Sequence, residues 1–270
     1  MFNWALYKFL KSKESKFGLK NSYLEDEDFR ERITNLRKDK EDDRDFVYSK
    51  KKIVKVEKLP EWHNVKVDLP IRNQYNLGYC FSFAGIRALE NEYKFNTNRY
   101  IEQSEMFLGY NTRVLNNTIP LDQGATIRDM LKTLAKHGST VESVCPYVTS
   151  NFNQKPSWLA YWSAGLYKLK EYYRCLTIED VKQALYGNHL VIFGLKLKDS
   201  FYKLNTNNYV YNGKGKDIGS HAMVVRSYDD SQKRLVVDNS WGGKWGLSGS
   251  FFLPYNVFLK DSFDWWVVNI

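Results

Sequence analysis

The chain has 270 residues, enough for one large domain or two small ones, and its 43% hydrophobic and 16% aromatic content is typical of a folded protein. The net charge of +9 comes from lysines and arginines that are spread along the chain and mixed with acids. No nucleic-acid recognition motif accompanies them, so we expect no nucleic-acid partner. No apolar run is long enough to span a membrane.

The first 60 residues differ in composition from the remainder. Residues 1–10 are apolar, but they lack a basic n-region and are interrupted by Lys8, so they match a secretory signal peptide poorly. Residues 25–45 are a dense mixture of acids and bases with few apolar side chains. We therefore treat residues 1–60 as an N-terminal region distinct from the folded body.

The next part of the chain, residues 61–165, is predicted to be mainly helical. It opens with an alternating stretch at residues 65–69, which predicts a strand. An apolar run with helical spacing follows Cys80, and further helices are predicted from Ser104 and after Gly124. We interpret this part as a helical lobe.

The remaining residues, 166–270, are predicted to be rich in strands. Thr177 and Asp180 have the spacing of a capping box, which predicts one more helix, ending at Gly187. Strands are predicted at residues 189–197, 209–211, 221–228, 235–239, 250–253 and 265–270. Helices first and strands afterwards indicate an α+β fold.

Cys80 is a candidate nucleophile because it stands where a loop meets the first long helix. Unpaired N–H groups and the macrodipole at a helix N-terminus favour negative charge, and therefore a reactive thiolate. The alternative is a thiol that only packs, since free cysteine is among the most buried residue types. The cysteine by itself leaves both interpretations open.

Two distant motifs complete a catalytic pattern. His221 stands in Gly-Ser-His-Ala and Asn239 begins Asn-Ser-Trp-Gly, and both motifs lie far downstream of Cys80. Gln74 precedes Cys80 by six positions, in the same loop. These residue types occur in the order and rough spacing of one enzyme family, with Asn239 slightly late. On these motifs, the chain from about residue 65 to its end resembles the papain-like cysteine peptidases.

The resemblance implies a papain-like two-lobed fold, with a helical left lobe, an antiparallel β-sheet right lobe and the active-site cleft between them. It implies that Cys80 attacks the peptide carbonyl as a thiolate paired with the His221 imidazolium, which then protonates the leaving amine. Asn239 would orient the imidazole, and Gln74 would donate a hydrogen bond to the oxyanion. No metal and no organic cofactor is implied.

Four further positions are expected to contact substrate on the same resemblance. Gly78 would let the peptide backbone approach closely, and Gly124 would pair with the main chain of the peptide. Ser220 would line the pocket for the side chain two residues before the cut, and Trp241 would cover the histidine–asparagine bond. Tyr79 departs from the family, which has a small residue there, and its ring is expected to narrow the leaving-group side or cover the thiol.

The resemblance leaves two interpretations of residues 1–60 open. They form either an inhibitory pro-segment that lies across the cleft of a zymogen and is removed, or a permanent extension that binds a partner protein or the surface. The spaced pattern of the longer family pro-segments is missing, which favours the permanent extension. Secreted relatives usually carry several disulfides, whereas this chain has three cysteines, so we expect an intracellular (cytoplasmic) protein or one carried in a larger assembly.

The sequence therefore predicts a cysteine endopeptidase that acts on peptide or protein substrates. Two alternatives stay open. One is a cysteine amidase or isopeptidase that uses the same triad, for example on cell-wall peptides. The other is a non-catalytic structural component that has kept the fold while Tyr79 and residues 1–60 block its cleft.

Overall fold

The computed structural model describes residues 29–32, 34–50 and 58–270. The apolar start of the chain and most of the lysine-rich stretch before residue 58 lie outside these residues. Within them, six α-helices and seven strands form two lobes. None of the described helices combines the length and the apolar character needed to cross a bilayer.

The helical lobe is built around α1 (Cys80–Thr97), whose first three turns are buried almost all round. Two further helices, α2 (Glu105–Leu115) and α3 (Ile127–His137), pack against α1 and each other, and the short α4 (Trp158–Ala164) follows. The last three helices each begin at a hydroxyl side chain that accepts a hydrogen bond from a backbone N–H, namely Ser104, Thr126 and Ser157.

The second lobe is an antiparallel sheet of seven strands, namely β1 (Trp62–Asn64), β2 (Glu171–Cys175), β3 (Val191–Lys198), β4 (Asp217–Asp229), β5 (Arg234–Asp238), β6 (Ser250–Pro254) and β7 (Ser262–Asn269). The strand order is β2–β7–β3–β4–β5–β6, and β1 pairs with the C-terminal end of β4. Two helices, α5 (Ile178–Tyr186) and α6 (Tyr255–Asp261), flank it. The predicted capping box at the start of α5 is present.

Some predicted elements differ from the structure. The strand expected at residues 65–69 lies instead at β1, which joins the sheet although it falls in the stretch assigned to the helical lobe. Residues 209–211 form only an isolated bridge between Val210 and Phe252. The sequence also gave no indication of β2, α4 and α6.

The two lobes share one hydrophobic core. The largest cluster of buried side chains includes residues of α1, α3, β3 and β4. Because α1 packs against β4, the N-terminus of the long helix lies against the strand that carries His221. This packing defines the cleft in which the predicted site residues meet.

Candidate active site

Cys80 is the first residue of α1 and is fully buried. Burial raises the pKa of its thiol to about 12, because a thiolate loses hydration there. Backbone hydrogen bonds from Ala222 and Phe81 to the sulfur act in the opposite direction. Since Ala222 directly follows His221 on β4, the sulfur lies against the strand that carries the predicted histidine.

His221, in the first half of β4, and Asn239, directly after β5, form a hydrogen-bonded pair. The distance between His221 Nε2 and Asn239 Oδ1 is 2.7 Å, and the same oxygen accepts the backbone N–H of Ser240 at 2.8 Å. The Trp241 ring lies 5.3 Å from the imidazole and shields this bond from water. Burial lowers the pKa of His221 to about 4, so the imidazole is neutral at pH 7.

One imidazole nitrogen stays free for chemistry. His221 Nδ1 has no hydrogen-bond partner among the residues that the structure describes. The pair with Asn239 fixes the ring through its other nitrogen, so Nδ1 is the nitrogen that can accept a proton.

Gln74 is buried in the loop before α1, and both ends of its amide are held. Ser240 Oγ donates to Gln74 Oε1 at 2.6 Å, and Gln74 Nε2 donates to the carbonyl of Leu77 at 2.8 Å. The backbone N–H of Gln74 also donates to the Ser240 carbonyl at 2.8 Å. An amide nitrogen has two N–H groups, so one of them remains for an oxyanion.

The cleft between the lobes holds part of the chain's own N-terminal region. Residues 34–37, which we call the crossing segment, pass between Ser220 on one side and Ala125 on the other. The N–H of Leu36 donates to the Ser220 carbonyl at 3.0 Å, and the N–H of Arg37 donates to the Ala125 carbonyl at 3.0 Å. The N–H of Ser220 in turn donates to the Thr34 carbonyl at 3.1 Å.

The crossing segment lies against the predicted substrate positions. A methyl group on Gly124 would be 2.4 Å from the carbonyl oxygen of Asn35, and one on Gly78 would be 2.4 Å from the Asn35 side chain. The Phe29 ring stacks on Trp241 with centroids 6.1 Å apart. Positions expected to contact a substrate therefore contact Phe29 and the crossing segment.

An ion cluster anchors residues 39–48, which we call the anchor, to the body. Asp39 is buried, and the hydrogen bonds that it accepts come from the backbone N–H of Arg128 at 3.0 Å, Trp266 Nε1 at 2.9 Å and Arg174 Nη2 at 3.1 Å. Burial raises the pKa of Asp39, and the nearby charge of Asp264 adds to this.

A second carboxylate completes the anchor. Asp45 pairs with Arg128 through Nε at 3.0 Å and with Arg174 through Nε at 2.9 Å. Both guanidinium groups lie over the Trp266 ring, at 5.7 and 4.5 Å from its centroid. Tyr48 then enters the main hydrophobic core, so the anchor is integrated into the fold.

The expectation for Tyr79 is wrong. Its ring is fully buried in the helical lobe, where it packs on Phe81 and Tyr147 and lies under the guanidinium of Arg113 at 5.4 Å. A methyl group on Gly109 would be 2.2 Å from the ring, so the absence of a side chain there makes room for it. The Tyr79 ring therefore packs into the helical lobe beneath the loop that leads to Cys80, and it does not cover the thiol.

Sequence reasoning missed Asp122, Leu36 and the anchor. The Asp122 carboxylate accepts the N–H of Gly78 at 2.8 Å, and its backbone carbonyl accepts Asn35 Nδ2 at 3.0 Å. Leu36 is one of the few apolar residues in a charged stretch, and such a residue was an available indication that this stretch packs against the body.

The family model described as papain family cysteine protease matches residues 59–258. The chain belongs to this family. An uncharacterized peptidase C1-like protein of Acanthamoeba polyphaga mimivirus is 32% identical over 208 residues, which are 72% of this chain and 65% of that protein. Peptidase 1 of Euroglyphus maynei is 26% identical over 196 residues, 70% of this chain and 58% of that one. The papain-family chain thus spans about 58–65% of the length of these curated relatives.

Solved structures agree with this assignment. Xylellain, a cysteine protease from Xylella fastidiosa, is 25% identical and matches with a TM-score of 0.80 over 88% of this chain and 97% of its own. Digestive procathepsin L 3 of Tenebrio molitor, 18% identical, matches with a TM-score of 0.67 over 89% of this chain and 76% of its own, and shares the fold. The predicted α+β, two-lobed papain-like fold is confirmed.

Proposed function

We propose that this papain-family protein is a cysteine endopeptidase that hydrolyses peptide bonds in peptide or protein substrates. Two observations support the proposal: the sulfur of Cys80 stands at the N-terminus of α1 against the backbone of Ala222, and His221, the residue before Ala222, is hydrogen-bonded to Asn239. A nucleophile, a base and a residue that orients the base are the parts that acyl transfer requires.

In the first half of the reaction, the Cys80 proton passes to His221 Nδ1 and the sulfur attacks the carbonyl carbon. Charge develops on the carbonyl oxygen, where the free N–H of Gln74 and the backbone N–H of Cys80 would stabilise it, each such donor being worth about 3–4 kcal/mol. The C–N bond then breaks, and the proton on His221 moves to the leaving amine.

In the second half, water replaces the amine. His221 takes a proton from the water, the resulting hydroxide attacks the thioester carbon, and the C–S bond breaks. The carboxylic acid leaves, and the sulfur returns to its pair with His221. Asn239 keeps the imidazole in the orientation that both proton transfers need.

The site is neutral in the closed arrangement, since burial favours the thiol of Cys80 and the uncharged imidazole of His221 at pH 7. Departure of the crossing segment would admit water to the cleft. Water and the mutual attraction of the two charges would then favour the thiolate–imidazolium pair. We therefore propose that residues 29–50 restrain activity, with the crossing segment acting as an internal competitor for the substrate position.

The test compares the chain with its Cys80→Ala variant on a peptide library, after the cleft is opened by Leu36→Ala in both. Peptide cleavage that depends on Cys80 is the expected result. Equal turnover with and without the thiol would rule out the proposed chemistry. Replacing Asn239 by Ala should lower turnover while leaving some activity, because it orients the base without reacting.

A non-catalytic role is the second candidate, and the occupied cleft favours it. Its distinguishing outcome is a Leu36→Ala chain whose Cys80 does not react with a thiol-directed peptidyl inhibitor. Reaction at Cys80, read by mass, would exclude this candidate, because such inhibitors need both the thiolate and an accessible peptide-binding cleft.

A further inference from the structure

An ion pair between the two lobes lies directly behind the active site. Arg87 stands two turns after Cys80 on α1, and its Nε and Nη2 donate to Asp238 Oδ2 at 3.0 and 2.6 Å. Asp238 is the last residue of β5 and immediately precedes Asn239. A single side chain thus links the helix of the nucleophile to the strand that positions the base.

The carboxylate of Asp238 is shared between the two walls of the cleft. Its Oδ2 is held by Arg87 from the helical lobe, whereas its Oδ1 accepts Arg226 Nε at 2.9 Å and Ser250 Oγ at 2.6 Å from the sheet. The side chain of Asp238 is 1% exposed and that of Arg87 is 11% exposed. Water therefore has little access to the two hydrogen bonds between Arg87 and Asp238, and the geometry of this ion pair is fixed.

The pair also adjoins the reacting residues. Arg87, Asp238, Asn239 and Ala222 line one small cavity between α1 and the sheet. Ala222 is the residue whose backbone contacts the Cys80 sulfur. A shift of Arg87 relative to Asp238 is therefore a shift of α1 relative to the strands that position the imidazole and its asparagine partner.

We propose that Arg87 is a positioning residue for this site: by holding Asp238 from the helix that carries Cys80, it fixes the separation between the thiol and the His221 imidazole. The inference rests on the proposed cysteine-peptidase chemistry. Displacements of about 1 Å at a reacting centre can cost about 100-fold in rate, so a tie of this kind affects turnover beyond its effect on folding.

Arg226 provides a matched control. It donates to the same carboxylate through the same type of nitrogen, but it starts from β4, within the sheet lobe. Arg87→Met and Arg226→Met each leave Asp238 with one arginine. Only the first removes a bond between the lobes.

The experiment uses the full chain with Leu36→Ala, so that the cleft opens equally in every variant. The pH profile of Cys80 alkylation by iodoacetamide reports the thiolate–imidazolium pair without any turnover. For Arg87→Met we expect the acid limb of this profile to move to higher pH and kcat to fall about tenfold or more, with KM within about twofold. For Arg226→Met we expect an unchanged limb and a change in kcat below about threefold.

Equal profiles in the two variants overturn the inference, whether or not peptides are cleaved. Different profiles without peptide turnover would remove the proposed function and leave the positioning role standing. Should Arg87→Met fail to fold, Arg87→Lys is compared with Arg226→Lys. Lysine keeps the positive charge at both positions but cannot reproduce the guanidinium geometry, which at Arg87 includes a two-nitrogen contact with Asp238. The pH profile of Cys80 alkylation should then change more in Arg87→Lys than in Arg226→Lys, and equal changes in the two variants would refute the positioning role of Arg87.

Discussion

Leu36→Ala should open the cleft, because it removes the side chain that seats the crossing segment. Leu36 is only 6% exposed. A methyl group on Gly194 would lie 2.8 Å from Leu36 Cδ2 and 2.4 Å from the Phe263 ring, so the Leu36 side chain packs over Gly194 beside the Phe263 ring, where β3 and β7 are paired. Truncation of a buried leucine to alanine costs about 2–5 kcal/mol.

That cost falls on the equilibrium between the closed and open cleft, since the crossing segment reaches both lobes through few hydrogen bonds. A loss of about 3 kcal/mol raises the open fraction about 100-fold. Labelling of a covered group follows the open fraction when opening and closing are fast. The rate at which a thiol-directed peptidyl inhibitor labels Cys80 at pH 7, measured by mass spectrometry, should therefore rise by up to about 100-fold.

The control is Leu259→Ala on α6, where the leucine is 55% exposed and its truncation should leave the labelling rate unchanged. Cys175 separates cleft opening from global unfolding, because its buried thiol reacts only if the core opens. Faster labelling of Cys80 with Cys175 protected is the expected result. Labelling at equal rates in the Leu36 and Leu259 variants would refute the idea that the crossing segment closes the cleft.

Three further outcomes follow from burial and charge. Because the folded-state pKa of His221 is about 4, the imidazole binds a proton below pH 6.5 in the unfolded chain but not in the folded chain. The free energy of unfolding, measured in urea, should therefore fall by about 3 kcal/mol from pH 7 to pH 4, and this fall should be smaller in His221→Gln. Because the pKa of Cys80 is raised, the buried thiol stabilises the fold fully below pH 9, and the free energy of unfolding should fall by about 4 kcal/mol between pH 9 and pH 12. Cys80→Ala should lack this fall. Arg174→Met should speed Cys80 labelling about tenfold or more by breaking the anchor, whereas Arg44→Met, whose ion pair with Asp42 is exposed, should not; equal rates in these two variants would contradict the anchor's role.

Local patterns in the sequence predicted much of the fold correctly. The start of α1 at Cys80 and the capping box before α5 depend on residues a few positions apart, and both are present. The strand predicted at residues 209–211 was too short to hold its place in the sheet, and only a single bridge forms there. Such a short stretch carries no periodicity that separates a strand from a loop.

The occupied cleft could not be predicted in the same way. In the sequence, residues 25–45 have the composition of a solvated mixture of charges, yet Asp39 is hydrogen-bonded to Arg174 and Asp264, which lie 135 and 225 residues further along the chain. Pairing of this kind depends on the finished fold, because only the sheet brings these partners together. The prediction for the Tyr79 ring was wrong for a related reason, because the space beside Gly109 that holds the ring is created by helix packing.

The crossing segment and a substrate strand would use the same backbone edges, namely the N–H and carbonyl of Ser220 and the carbonyl of Ala125. An internal competitor of this kind raises the apparent KM by the ratio of closed to open chains and leaves kcat unchanged. Leu36→Ala should therefore lower KM and keep kcat, whereas Arg87→Met should lower kcat and keep KM. The double variant should show both changes independently, since one alters access to the cleft and the other its internal geometry. A kcat that rises with Leu36→Ala would mean that the crossing segment also distorts the catalytic residues and does more than cover them.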